Sequence, residues 1–298
     1  NEGMGQVVLL SGDAGIGKSR LVKVLEEHVA QDPQAWLTPC QCSAYHQNSA
    51  FYPVIDLLER FALQFEPGDD PADKLGRLEG FLVQYGFELF EVVPVFCDLL
   101  SLPLGDKYSP STLSPERQKK LIFETILGMF LEIASRQPML MVIEDLHWAD
   151  HTSLALLQHL LPLTDRVPLL VLCVYRPEKD HGCWRIQESA SRLYGHRHTD
   201  LRLDPLTERE SAELVRHLLR PLPRLREDLP EALRARILER AEGNPFYVEE
   251  ILRSLIDAAA DSSAADGGPG IEYDEMTRRW TATRDVDDSP VPDTLRGV

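Results

Sequence analysis

Short, uninterrupted apolar runs recur along the chain, separated by stretches in which apolar residues return every three or four positions. Gln6–Ser11, Met139–Ile143 and Pro168–Tyr175 contain such runs. They are too short and too uniform for amphipathic helices and read as parallel strands covered on both faces. Ala35–Cys42 and residues 198–203 read as two more strands. Between them, Leu21, Val22, Leu25 and Val29 keep helical spacing, as do Leu154, Leu157, Leu160 and Leu161. Pro53–Phe65 and Ala72–Tyr85 share that period. Ser114-Pro115-Glu116 supplies an N-cap followed by proline at the first helical position, which predicts a helix lasting to about Arg136 and ended by Pro138. Strands alternating with helices predict a parallel α/β sheet with crossover helices.

From Thr207 the pattern turns wholly helical, with apolar stripes over Glu208–Leu219, Pro230–Ala241 and Pro245–Ala258. Ala258–Gly270 is rich in Ala, Ser, Asp and Gly and reads as a flexible linker, followed by a weak hairpin over Ile271–Thr283. The expected organisation is a core over 1–205 with a helical insertion at about 51–136, and a helical lid over 206–258. A linker and hairpin follow over 259–289, and 290–298 would begin a further domain. The chain starts almost directly on a strand and stops in a partly apolar stretch, so it is read as part of a longer protein.

The segment after the first strand changes the picture most. Gly12-Asp13-Ala14-Gly15-Ile16-Gly17-Lys18-Ser19 fits the G-x-x-x-x-G-K-[ST] phosphate-binding loop without a mismatch, and it lies between a predicted strand and a predicted helix, as that loop requires. Glycines let the backbone curl its N–H groups toward an anion, and the following helix adds its positive end. Lys18 is expected to reach the β- and γ-phosphates of a nucleotide, and the Ser19 hydroxyl to ligate Mg²⁺. The apolar strand ending at Ile143 runs into Glu144-Asp145, so two carboxylates stand at a strand end on the same edge of a parallel sheet. By position Glu144 is the metal-side acid and Asp145 the base that polarises the attacking water. The reverse assignment stays open. Arg176, at the end of the next buried strand, is a candidate to sense the γ-phosphate or stabilise transition-state charge.

Composition narrows the partners. The formal charge is −17 at pH 7, which argues against a broad nucleic-acid grip. The arginines between Arg216 and Arg240 are interleaved with Glu227, Asp228, Glu231 and Glu239 and read as a solvated helical face. Five cysteines without paired spacing point to a reducing, cytoplasmic setting. Cys40, Cys42 and His46 form only a weak metal pattern. No apolar run approaches the length of a membrane span.

Together, Gly12–Leu21, Val142-Ile143-Glu144-Asp145-Leu146-His147-Trp148-Ala149-Asp150, Tyr175-Arg176-Pro177 and Gly243-Asn244-Pro245-Phe246-Tyr247-Val248-Glu249-Glu250 resemble the STAND-type, AAA-related signalling ATPases. The similarity extends to the ATPase module of bacterial proteins that carry class III adenylate or guanylate cyclase, protein kinase or LuxR-type regulator parts. Cys42–Ser49 with Tyr52-Pro53 resembles a segment of the cyclase- and kinase-linked members. The resemblance implies an α/β P-loop NTPase fold, an AAA/STAND-like parallel sheet with a helical insertion and a C-terminal helical subdomain. It also implies an ATP-dependent switch with slow hydrolysis and with ATP and Mg²⁺ as cofactors. The binding set would be Gly12, Asp13, Ala14, Gly15, Ile16, Gly17, Lys18, Ser19 and Arg20, with Pro245 near the adenine. Ser19 and Glu144 would lie on the metal side, and Asp145, Glu144 and Arg176 would be catalytic. Implied partners are ATP and ADP, covalently linked sensor and output domains, and further copies of the chain through nucleotide-dependent self-association. Neither a membrane nor direct nucleic-acid contact is expected. A DNA-associated AAA-type ATPase and a nucleotide-binding scaffold with little turnover are the alternatives.

Overall fold

The structure is a computed structural model that describes residues 4–177, 184–193, 196–219, 231–260, 271–274 and 279–282. Residues 290–298, most of the expected linker, and Cys183 lie outside that set. Contacts among the described residues divide them into two compact units, one within Asn1–Ser11 and Ser19–Leu201, the other within Gly12–Lys18 and Arg202–Val298.

The first unit is built on a sheet. Its elements in chain order are β1 (Gln6–Ser11), α1 (Lys18–Val29), β2 (Trp36–Gln41), α2 (Tyr52–Leu57), α3 (Pro71–Gln84), α4 (Leu89–Leu99), α5 (Pro115–Arg136), β3 (Met139–Glu144), α6 (His151–Leu160), β4 (Leu169–Tyr175), α7 (Trp184–Leu193) and β5 (His198–Arg202). The strand order is β2-β3-β4-β1-β5. The β1–β4, β2–β3 and β3–β4 pairs are parallel. The central strands β3 and β4 carry the continuous apolar runs and are buried almost throughout, because helices cover both faces of such a sheet. At the edge, β2 tolerates Pro39 within its ladder, as only edge strands readily do. β5, at the other edge, is largely exposed.

Register aligns the strand ends. Ser11 pairs with Tyr175, Ile143 with Cys173, and Gln41 with Glu144. The residues that follow β1, β3 and β4 therefore leave the sheet along one edge. With β4 between them, the ends of β1 and β3 are two strand spacings apart, about 10 Å.

The insertion packs on this sheet through one continuous core that includes Val54, Leu78, Phe96, Ile126, Met141 and Val171. As the sequence predicts, α5 starts at Pro115 with the Ser114 side chain accepting from the Arg117 amide. Helix α4 buries six consecutive residues, Val92 to Cys97, with Pro94 among them, a run that a sequence reading takes for a strand as readily as for a helix. Between Leu58 and Ala62 the helix begun by α2 widens into a π turn.

The second unit holds α8 (Glu208–Leu219), α9 (Glu231–Ala241), α10 (Pro245–Ala260) and an antiparallel pair, β6 (Ile271–Asp274) with β7 (Arg279–Ala282). Its helices share a separate core around Val215, Leu233, Ile237, Val248, Ile251 and Leu252. Thr207 and Glu210 cap α8 reciprocally, the Glu210 carboxylate accepting from the Thr207 amide at 2.8 Å and the Thr207 hydroxyl from the Glu210 amide at 3.3 Å, a capping box.

Candidate functional site

The glycine-rich loop keeps company with the helices of the second unit. Gly15 and Gly17 sit at φ of 75° and 101°, where a side chain strains the backbone. At Gly15 there is also no room, since a Cβ would come within 2.9 Å of Asn244 Oδ1 and of Phe246 Cβ. Lys18 begins α1, yet its side chain folds back. Its Nζ donates to the Gly12 and Asp13 carbonyl oxygens, each at 2.8 Å, and the residue is only 8% exposed. A cation is thereby tied to the mouth of a loop rich in backbone amides, donors of the kind that can bind an anion.

The loop also receives two hydrogen bonds from the start of α10. Asn244 Nδ2 donates to the Ala14 carbonyl at 2.9 Å, and the Phe246 amide lies 3.3 Å from the Gly15 carbonyl. Pro245 stands at the first position of α10, and the Asn244 side chain accepts from the Phe246 amide at 3.1 Å, so asparagine caps this helix and proline opens it. Asp13 is exposed, and Ala14 and Ile16 are partly and fully buried respectively.

In the first unit, the residue after Lys18 meets the predicted acids. Ser19 is hydrogen-bonded to the Glu144 side chain, which is half-buried. Burial pushes the Glu144 carboxyl above the ordinary glutamate range, the Ser19 hydrogen bond opposes that rise, and the negative charges of Asp145 and Glu26 add to it. Ser19 and Glu144 thus present two hard oxygen donors side by side, a set that suits Mg²⁺. Asp145 has a left-handed backbone with φ of 52°, and its Oδ2 accepts from Gln41 Nε2 at 2.7 Å. Gln41 ends β2 directly opposite Glu144.

Arg176 emerges one residue beyond β4, and its guanidinium lies 5.5 Å from the centre of the Trp148 ring, a cation–π contact. Trp148 therefore acquires a place for which the sequence gives no reason. His147 is buried beside it, with ring centres 4.6 Å apart. Arg20 is exposed on α1. The weak Cys40, Cys42 and His46 pattern does not gather, because the two cysteines are buried while the His46 ring stacks on Tyr52 at 3.8 Å. Among the described residues, no group of three or more His, Cys, Asp or Glu side chains could hold a metal ion.

The sequence analysis assigns no role to Gln41 or Asp150, and no loop contact to Asn244. Gln41 is marked only by its position at a strand end. The bond between Asn244 and Ala14 spans 230 residues and leaves no local signal. Asp150 does leave one, since Asp150-His151-Thr152-Ser153 is a helix-start pattern. Its carboxylate caps α6 through the Thr152 and Ser153 amides, both at 2.9 Å, and also accepts from the Phe51 amide at 3.3 Å. The segment after the acids is thereby tied to the insertion.

Comparison with known proteins adds three kinds of similarity. A Rhizobium meliloti protein named "Uncharacterized protein R02095" is 28% identical over 84% of this chain. The peroxide stress-activated histidine kinase mak2 of Schizosaccharomyces pombe is 26% identical over 57% of it. The chain spans 22% and 8% of the lengths of these two relatives. Among solved structures, a STAND protein with a tetratricopeptide repeat sensor from Pyrococcus horikoshii aligns over 88% of this chain and 28% of its own, with a TM-score of 0.36 and 16% identity. Cdc6p from Pyrobaculum aerophilum aligns over 88% of this chain and 58% of its own, with a TM-score of 0.45 and 13% identity. Residues 1–172 match the AAA ATPase domain, more than half of the sequence and all of its phosphate loop and acidic pair, and the chain belongs to that family.

Proposed function

We propose that the chain is an ATP-binding, slowly hydrolysing regulatory module of the STAND type, acting as a nucleotide-dependent switch within a larger multidomain protein. The observation that carries this reading is the chemistry gathered at consecutive residues, with Lys18 bound to the loop carbonyls and Ser19 bound to Glu144. Membership of the AAA ATPase family supports the nucleotide. The small share of each curated relative that the chain spans, one of them named a histidine kinase, supports a place beside linked sensor and output domains. A cyclase, kinase or transcriptional regulator would suit the output.

In this reading the loop amides and Lys18 hold the β- and γ-phosphates, each charge-assisted contact contributing about 1.5–3 kcal/mol. Ser19 and Glu144 would hold Mg²⁺, which when bound neutralises charge on the phosphate oxygens. Asp145, its carboxylate oriented by Gln41, accepts a proton from the attacking water. Arg176 stabilises charge on the transferred phosphoryl group. If ATP exceeds its Kd about a thousandfold, binding favours the competent state by roughly 4 kcal/mol, enough to run a switch.

Steady-state hydrolysis tests the assignment of roles. Lys18→Ala should lose ATP binding, whereas Asp145→Asn should retain ATP and lose turnover. Equal turnover in both variants and the wild type would defeat the reading in favour of a scaffold. Turnover stimulated by DNA would move it to a DNA-associated ATPase, an outcome the net charge of −17 makes unexpected.

A further inference from the structure

The phosphate-binding loop is glycine-rich, so its peptide planes rotate at little cost unless something holds them. Two of those planes are held from one side. The Ala14 carbonyl accepts from Asn244 Nδ2 at 2.9 Å, and the Gly15 carbonyl lies 3.3 Å from the Phe246 amide. A trans peptide is planar, with its C=O and N–H pointing in opposite directions. Fixing the Ala14 carbonyl toward α10 therefore aims the Gly15 N–H away from it. Fixing the Gly15 carbonyl does the same for the Ile16 N–H, which donates to the Asp13 carbonyl within the loop at 3.4 Å.

Asn244 is itself rigidly placed. Its amide donates to the Ala241 carbonyl at 2.7 Å, and the preceding Gly243 carbonyl accepts from the Leu206 amide at 2.8 Å. Gly243 has φ of 76°, and a Cβ there would approach Leu206 O to 2.4 Å. The side chain then performs two tasks with two ends, Oδ1 capping α10 through the Phe246 amide and Nδ2 donating to Ala14. Capping alone asks only for an acceptor, which Asp or Ser supplies as well. The donor on the same short side chain is what singles out asparagine.

We propose that Asn244 is a positioning residue for the phosphate-binding loop. It orients the Gly15 amide toward the polyphosphate and steadies the neighbouring Ile16 amide within the loop, so that the state of α10 sets phosphate affinity. This rests on the nucleotide reading above. Because the coupling is a free energy shared by two sites, bound phosphate must in turn favour the docked arrangement of α10.

The test separates positioning from capping. Asn244→Asp and Asn244→Ser each keep a cap acceptor, and the first adds a negative charge that suits a helix N-terminus. Neither can place an amide donor on Ala14. Binding of Mg·ATP, inorganic tripolyphosphate and adenosine would be measured on the whole chain, together with its thermal unfolding and the ¹⁵N–¹H resonances of Gly15 and Ile16. Both variants should unfold with the wild type and bind ATP and tripolyphosphate about tenfold more weakly, with adenosine unaffected and the two amide resonances displaced. Tripolyphosphate binding within twofold of wild type in the Ser variant overturns the proposal and leaves the nucleotide reading standing. A wild-type chain that binds neither ATP nor tripolyphosphate overturns both.

Discussion

Replacing Asp150 by alanine should cost the first unit about 2–4 kcal/mol, although the residue lies outside the phosphate site. Its carboxylate is 4% exposed and accepts four hydrogen bonds, from the amides of Thr152, Ser153 and Phe51 and from the Ser153 hydroxyl. Loss of the cap on α6 accounts for about 1 kcal/mol. The Phe51 amide is then left buried without an acceptor, which costs a further 1–3 kcal/mol or so. Phe51 has φ of 63° and sets its ring edge-on to Phe123 at 5.6 Å, so the insertion loosens where it meets α5. Relief from burying a carboxylate offsets part of this and keeps the total toward the lower end. Urea unfolding followed by far-UV circular dichroism should show a lower midpoint with an unchanged slope. Asp150→Asn keeps the Oδ1 acceptor and should recover most of the loss. An alanine variant within about 0.5 kcal/mol of wild type, or an asparagine variant as unstable as alanine, would refute the hydrogen-bond account.

Other outcomes follow from the same geometry. Gly15→Ala combines a left-handed φ with a 2.9 Å clash against Asn244 and Phe246, so ATP affinity measured by calorimetry should fall at least tenfold and the strain, about 1–3 kcal/mol, should also lower the thermal unfolding midpoint. Glu144 holds its proton to higher pH in the folded chain than in the unfolded one, so its contribution favours the folded state at low pH and is lost as pH rises through the raised pKa. The Glu144→Gln variant should lose that dependence, and Mg²⁺-dependent nucleotide binding by the wild type should weaken on acidification at a higher pH than an ordinary glutamate would dictate. Burial and the Asp56 carboxylate push the Cys40 thiol up to about 12, burial and the Glu79 carboxylate push Cys97 up to about 11, and Cys42 is raised further. Alkylation at neutral pH, mapped by mass spectrometry, should therefore spare all three until the chain is unfolded.

The strands were legible because a central parallel strand must be apolar on both faces, which leaves the unbroken runs of β3 and β4. The start of α5 was legible because Ser114 and Pro115 act within one turn. By contrast, α4 buries an unbroken run from Val92 to Cys97 that reads as a strand as readily as a helix, and α7 offers only a few apolar positions, with Ile186 and Ala190 buried one turn apart. Strand order is a matter of pairing between distant segments, so nothing local says that β4 separates β1 from β3. At the site, the phosphate loop and the acidic pair could be read because each is a contiguous string at a strand end. The bond from Asn244 to Ala14 and that from Gln41 to Asp145 could not, since each joins residues more than a hundred positions apart.

Equilibrium dialysis with labelled ATP, with and without Mg²⁺, puts the central claim to the most direct test. The wild-type chain should bind one ATP per chain, more tightly with Mg²⁺, and Lys18→Ala should bind none at the same concentrations. Equal ATP retained by the wild type and by Lys18→Ala would contradict the account.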